Sequence, residues 1–143
     1  MENKRLFSSF KLPDSLPGLS PERHHLYKIV QSMMTYVPVM LGFNFFGFLI
    51  IYLLGVFGIL GQGSAALLLV AAISIAASFA HAFLYAPLRE GKIETAASGV
   101  MLITGLATAL QVFLWESLAW YLAIQAVSIV MVFVFQRELR LPD

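Results

Sequence analysis

The sequence predicts an all-α integral membrane protein: a four-helix bundle of two transmembrane hairpins, both termini cytoplasmic, preceded by an amphipathic cytoplasmic stub. Three observations carry this reading. Of the 143 residues, 59% are hydrophobic and only 12% charged, with mean hydropathy +0.83, whereas a soluble domain of this size carries about a quarter charged residues. Residues 29–88 and 95–115 contain no aspartate, glutamate, lysine or arginine, and a bilayer core of ~30 Å needs about 20 such residues in a helix to cross it. Finally, all nine basic residues fall on one side of the membrane if the chain crosses four times.

Residues 1–32 form the N-terminal unit, a cytoplasmic tail and the start of an amphipathic helix. Pro13, Pro17 and Gly18 prevent a continuous helix over residues 1–20, which read as a loosely ordered tail, and Phe7, Phe10 and Leu12 beside Lys4, Arg5 and Lys11 suit an anionic membrane surface. The stretch is too polar and proline-broken for a cleavable signal peptide. Ser20-Pro21-Glu22 marks a helix start, because serine accepts from free amides, proline fits the first turn, and an acid favours the positive helix end. Leu26, Ile29, Val30, Met33 and Val37 then recur at helical spacing, and Pro38 is expected to bend the helix where it enters the membrane.

Residues 33–143 are the four-span domain. Span 1 runs over residues 34–60 and ends in Gly61-Gln62-Gly63-Ser64. Span 2, residues 65–88, repeats Ala72, Ala76 and Ala80 every four positions, and likewise Ser74, Ser78 and Ala82. Small residues at this interval let helix backbones approach closely in lipid, so these residues are the expected packing seam. Arg89-Glu90-Gly91-Lys92-Ile93-Glu94 is the inner loop. Span 3, residues 95–114, carries Gln111 near its outer edge, within reach of water. Trp115-Glu116-Ser117 is the outer turn. Span 4, residues 118–135, has Trp120 and Tyr121 near its start, where amphipathic rings favour the interface. The outer loops 61–64 and 115–117 hold no basic residue, so the basic tails and central loop belong inside, in a cytoplasmic (inner) membrane of bacterial type.

The same composition excludes function classes. Net charge is +1, which gives no electrostatic case for nucleic acid. There is no cysteine, hence no disulfide, thiolate metal site or cysteine nucleophile. No phosphate loop, nucleophile elbow or zinc motif occurs, and Glu116 lacks a second acid–base group, so the chain is not expected to be an enzyme. His24-His25 is adjacent rather than four apart and reads as a solvated face, not a metal site.

Three polar residues lie inside the spans. Asn44 and Gln125 are each ten residues from an inner boundary, at equal depth (~15 Å), and are expected to share an interhelical amide hydrogen bond. His81, roughly 10 Å inside, is the sole titratable side chain within a span apart from tyrosine. Its bland reading is a neutral ring hydrogen-bonded to another helix. Its functional readings are a haem ligand, a quinone-site donor or a proton acceptor. In length and span count the chain resembles small multidrug exporters, but that family depends on a glutamate in the first span, where Asn44 stands here. The ATP synthase accessory family called protein I is similar in layout only, with four short spans around a polar inner loop.

The expected function is that of a non-catalytic accessory, assembly or regulatory subunit, in contact with the lipid bilayer and with other integral membrane subunits or its own copies. No cofactor is required. The alternatives are a small homo-oligomeric transporter or channel lined by Asn44, His81 and Gln125, and a haem- or quinone-binding redox subunit using His81.

Overall fold

The computed structural model describes residues 12–59 and 65–135. The expectations for residues 1–11, for the loop 61–64 and for the C-terminal tail from residue 136 lie outside these. Among the described residues every regular element is helical: α1 (Pro21–Val56), α2 (Ala65–Ala80), a 3₁₀ turn (His81–Leu84), α3 (Tyr85–Arg89), α4 (Ile93–Leu114) and α5 (Leu118–Val134). Three helical stretches, Pro21–Val56, Ala65–Arg89 and Ile93–Leu114, are long and apolar enough to cross a membrane, and α5 is a shorter apolar helix.

The expected cytoplasmic stub and first span are one continuous helix. Ser20 caps it, its hydroxyl accepting from the Arg23 amide at 3.3 Å, and the helix runs through Pro38 to Val56. Proline cannot donate to the carbonyl four residues back. That carbonyl belongs to Met34, and the Tyr85 hydroxyl lies 3.4 Å from it. The helix ends at Val56, earlier than expected, because Gly58 takes a left-handed conformation (φ 76°). The Gly58 amide then donates to Gly55 O at 3.0 Å and the Ile59 amide to Leu54 O at 2.9 Å, a pairing that satisfies the last carbonyls.

The second expected span is not one regular α-helix. Pro87 deprives Phe83 of its α-helical donor and disfavours α geometry at Ala86, and the preceding turn tightens into the 3₁₀ stretch at His81–Leu84. The break ends at Gly91, again left-handed (φ 86°), with the Lys92 amide on Pro87 O at 2.9 Å. This stop moves the start of α4 to Ile93, two residues ahead of expectation.

Consecutive long helices run antiparallel. At the near end, which holds the Glu90–Lys92 turn, Tyr27, Val30, Met34, Leu88, Ile93, Ala96 and Val100 form one buried cluster. Leu12, Leu16 and Leu19 of the N-terminal segment pack on it, and the Tyr27 hydroxyl donates to Pro13 O at 2.5 Å. Residues 12–20 are therefore tied down rather than loose, because their leucines cover apolar surface that α1, α3 and α4 leave open. At the far end Phe48, Ile51, Leu67, Val70, Trp115, Tyr121 and Ile124 form a second cluster. Helix α1 is the common support, packing most extensively on α2 and also on α5 and α4.

Candidate functional site

The polar side chains inside the helices define the candidate site. Asn44 is fully buried on α1 because it continues the stripe Tyr27, Val30, Met34, Leu41, Phe48 that faces the other helices. Its Nδ2 donates to Gln125 Oε1 of α5 at 2.9 Å, and its own Oδ1 has no protein partner. The sequence expectation and the geometry coincide here.

Gln111 differs from expectation. Rather than reaching water it is 1% exposed, and it joins three helices. Its Nε2 donates to Ser74 Oγ at 2.6 Å and lies 2.9 Å from Val70 O, both on α2, while its Oε1 accepts from the Tyr121 hydroxyl of α5 at 3.1 Å. The physical reason is the height of the α4–α5 turn. Trp115 packs edge-on against Phe48 (centroids 5.7 Å apart), so the end of α4 abuts the flank of α1 rather than its tip. Tyr121 is likewise buried, its ring stacked on Phe48 at 5.8 Å, and is not an interfacial anchor; Trp120 stays exposed. The available signal for Gln111 was the stripe Ala96, Val100, Ala107, Gln111, spaced by four, seven and four along the buried face of α4.

His81 is 1% exposed, and its ring does not bond another helix as expected: Nδ1 lies 2.7 Å from Ala77 O, one turn earlier in the same helical stretch. A carbonyl only accepts, so Nδ1 carries the proton, and in the neutral ring Nε2 presents its lone pair. Nε2 is buried without a protein partner. Haem ligation through that nitrogen requires an open face, whereas reaching it here requires the surrounding helices to part. Thr104 Oγ1 on α4 is likewise buried and unpartnered.

The expected small-residue seam is split by the fold. Ser74 is buried on Gln111, and the Ser78 hydroxyl donates to Pro38 O at 2.7 Å, linking α2 to α1. Ala72 and Ala76, however, are exposed and Ala80 only half-buried. The face of α2 that packs within the chain runs through Leu67, Val70, Ala71, Ser74 and Ala77, about one residue step (~100°) from Ala72 and Ala76. Two glycines also mark close packing. A Cβ on Gly99 would stand 2.4 Å from Leu84 Cδ2, and one on Gly47 3.0 Å from Ile124 Cγ2.

At the near end Arg23 holds Glu94 through both carboxylate oxygens, at 2.6 and 3.1 Å, clasping the start of α1 to the start of α4. The guanidinium hydrogen bond is the main cause that depresses the Glu94 pKa to about 2, and it raises that of Arg23. Burial pushes the Tyr27 phenol up, with the Asp14 charge adding to it, which keeps its hydroxyl a donor to Pro13. Among the described residues no three histidine, aspartate or glutamate side chains converge as a metal site would need. Between α1 and α5 an apolar groove of about 360 Å³ is lined by Phe43, Phe46, Gly47, Trp120, Ile124 and Val127, among others.

Among the described residues the chain is thus all-helical, with three helical stretches of membrane-crossing length and hydropathy. No protein family, curated protein or solved structure matches it.

Proposed function

We propose that this is a four-span membrane protein acting as an accessory, assembly or regulatory subunit through helix–helix contacts. In this reading α5 is the fourth span, both termini and the Glu90–Lys92 turn face the cytoplasm, and the membrane is the bacterial inner membrane. The observation that carries the reading is how the interior polar groups are used. Asn44 with Gln125, Ser74 with Gln111 and Tyr121, and Ser78 with Pro38 O all join one helix to another. These polar groups hold the helices together, which is the usual role of amide and hydroxyl side chains in lipid. The exposed alanines of α2, Ala72 and Ala76, then offer a close-approach surface to a helix of another subunit or a second copy.

The test is Ala76→Leu. Because Ala76 is exposed, the variant is expected to fold with unchanged thermal stability and to lose the proteins that co-purify with the wild type in mild detergent. Unchanged co-purification refutes the α2 contact surface. The side of the membrane is checked separately with a single cysteine at Gly91, which should be silent to an impermeant thiol reagent in sealed cells.

A small transporter is the second reading, favoured by Asn44 Oδ1, His81 Nε2 and Thr104 Oγ1, polar atoms left unpartnered between the helices. It requires His81→Gln to fold normally yet abolish coupled transport, whereas the subunit reading requires that variant to keep its partners.

A further inference from the structure

The two hairpins are unequal in height. Trp115 packs edge-on against Phe48 of α1 and shares one buried cluster with Ile51 of α1 and with Leu67 and Val70 of α2. Helix α1 continues past those contacts to Val56, five residues beyond Ile51 and eight beyond Phe48. At ~1.5 Å per residue, the end of α1 rises roughly 8–12 Å above the level at which the α4–α5 turn meets it. The step has a chemical character on both sides. The raised tip carries Val56, Phe57 and Ile59, exposed by 58%, 76% and 69%. The lowered turn carries Glu116, exposed and the only charged residue at that end among the described residues.

A flat bilayer of uniform thickness cannot serve both. Setting its outer surface at the tip sinks the Glu116 carboxylate roughly 8–12 Å into hydrocarbon, where charge is strongly disfavoured. Setting it at Glu116 lifts three large apolar side chains into water. Helix α5 adds a third constraint: its 17 residues span only about 25 Å, short of a ~30 Å core. A short span is accommodated by local thinning of the bilayer.

We propose that the protein binds an asymmetrically thinned bilayer, with the outer leaflet at normal height around the α1–α2 tip and drawn down over the α4–α5 hairpin until headgroups and water reach Glu116. The partner surface is the lipid-facing flank of α4 and α5, exposed through Leu106, Leu110, Phe113, Leu122, Val127 and Val130. The ligand is the phospholipid leaflet itself. Trp120, exposed at the start of α5, sits where a lowered interface would hold an amphipathic ring. This inference rests on the four-span reading.

The experiment uses the absence of native cysteine. Full-length protein carrying Phe57→Cys or Ser117→Cys, which leave Gly58 and the Glu116 charge in place, is spin-labelled and reconstituted in phosphatidylcholine vesicles of 18-carbon chains, and depth is read from collision rates with oxygen and with a water-soluble nickel chelate. The expected result is an interfacial depth at both positions. A bulk-water reading at 57 shows that the tip protrudes, and an oxygen-rich, nickel-poor reading at 117 shows that the turn is sunk. Either overturns the proposal. Trp120→Phe protein leaves Trp115 as the one tryptophan, and its quenching by acyl-chain bromines should be strongest for bromines near the headgroup. Strongest quenching from mid-chain bromines also overturns it. Failure of the four-span reading is distinguishable, since positions 117 and 135, at the two ends of α5, would then react with an impermeant reagent from the same side of the vesicle.

Discussion

Replacing Gln111 by leucine keeps approximate volume and removes the one side chain that ties α2, α4 and α5 together. Three hydrogen bonds go: to Val70 O at 2.9 Å, to Ser74 Oγ at 2.6 Å and from the Tyr121 hydroxyl at 3.1 Å. Interhelical hydrogen bonds in lipid are worth ~0.6–2 kcal/mol each, and members of one network are not additive. The loss is therefore about 2–4 kcal/mol, part of it the cost of a buried tyrosine hydroxyl without an acceptor. Tyr121→Phe removes a single bond and should cost ~0.6–2 kcal/mol. In the double variant the tyrosine hydroxyl is already absent, so the two losses should fall short of their sum by about 0.5–2 kcal/mol. Reversible unfolding in mixed micelles, followed by tryptophan fluorescence, measures all three. Gln111→Leu within ~0.5 kcal/mol of wild type, or strict additivity with Tyr121→Phe, would refute the buried junction and put Gln111 at the water surface.

Three further outcomes follow from the geometry. Asn44→Leu and Gln125→Leu should each destabilise by ~0.6–2 kcal/mol and couple in a double-mutant cycle, since both lose one 2.9 Å bond. The Arg23–Glu94 clasp should be acid-sensitive. The folded-state pKa of Glu94 is depressed to about 2 from an ordinary 4.5, so its contribution is fully present above pH 4.5 and is lost as pH falls from there towards 2. Glu94→Gln should remove that part of the acid dependence in a thermal-melt series, and an unaltered profile argues that the clasp does not form. Gly99→Ala places a Cβ 2.4 Å from Leu84 Cδ2, and overpacking of this kind costs about 1–3 kcal/mol unless the leucine rotates away. Restoration by Leu84→Ala in the same background checks the contact.

How much of this was legible in the sequence depends on what each feature is made of. Helix content and the antiparallel order come from long uncharged apolar runs broken at polar turns, properties of the chain read residue by residue. The cap at Ser20 and the turn at Gly91 are equally local, since they depend on side chains and φ angles within a few residues. The Asn44–Gln125 pair could be inferred because counting from the helix ends fixes depth. Which face of α2 turns inward could not. In an apolar helix both faces are hydrophobic, so periodicity carries little information, and the alanine series at 72, 76 and 80 competes with the buried one through Ala71, Ser74 and Ala77. Gln111 and Tyr121 were misplaced for a related reason. Their burial depends on the height at which the α4–α5 turn meets α1, and only the packing of Trp115 on Phe48 decides that height. Sequence by itself determined that helices form and roughly where the turns between them fall, because those are short-range balances of hydrogen bonding and hydropathy. Tertiary structure alone decided their relative rotation and height, because close packing between apolar surfaces depends on the shapes of side chains far apart in the chain.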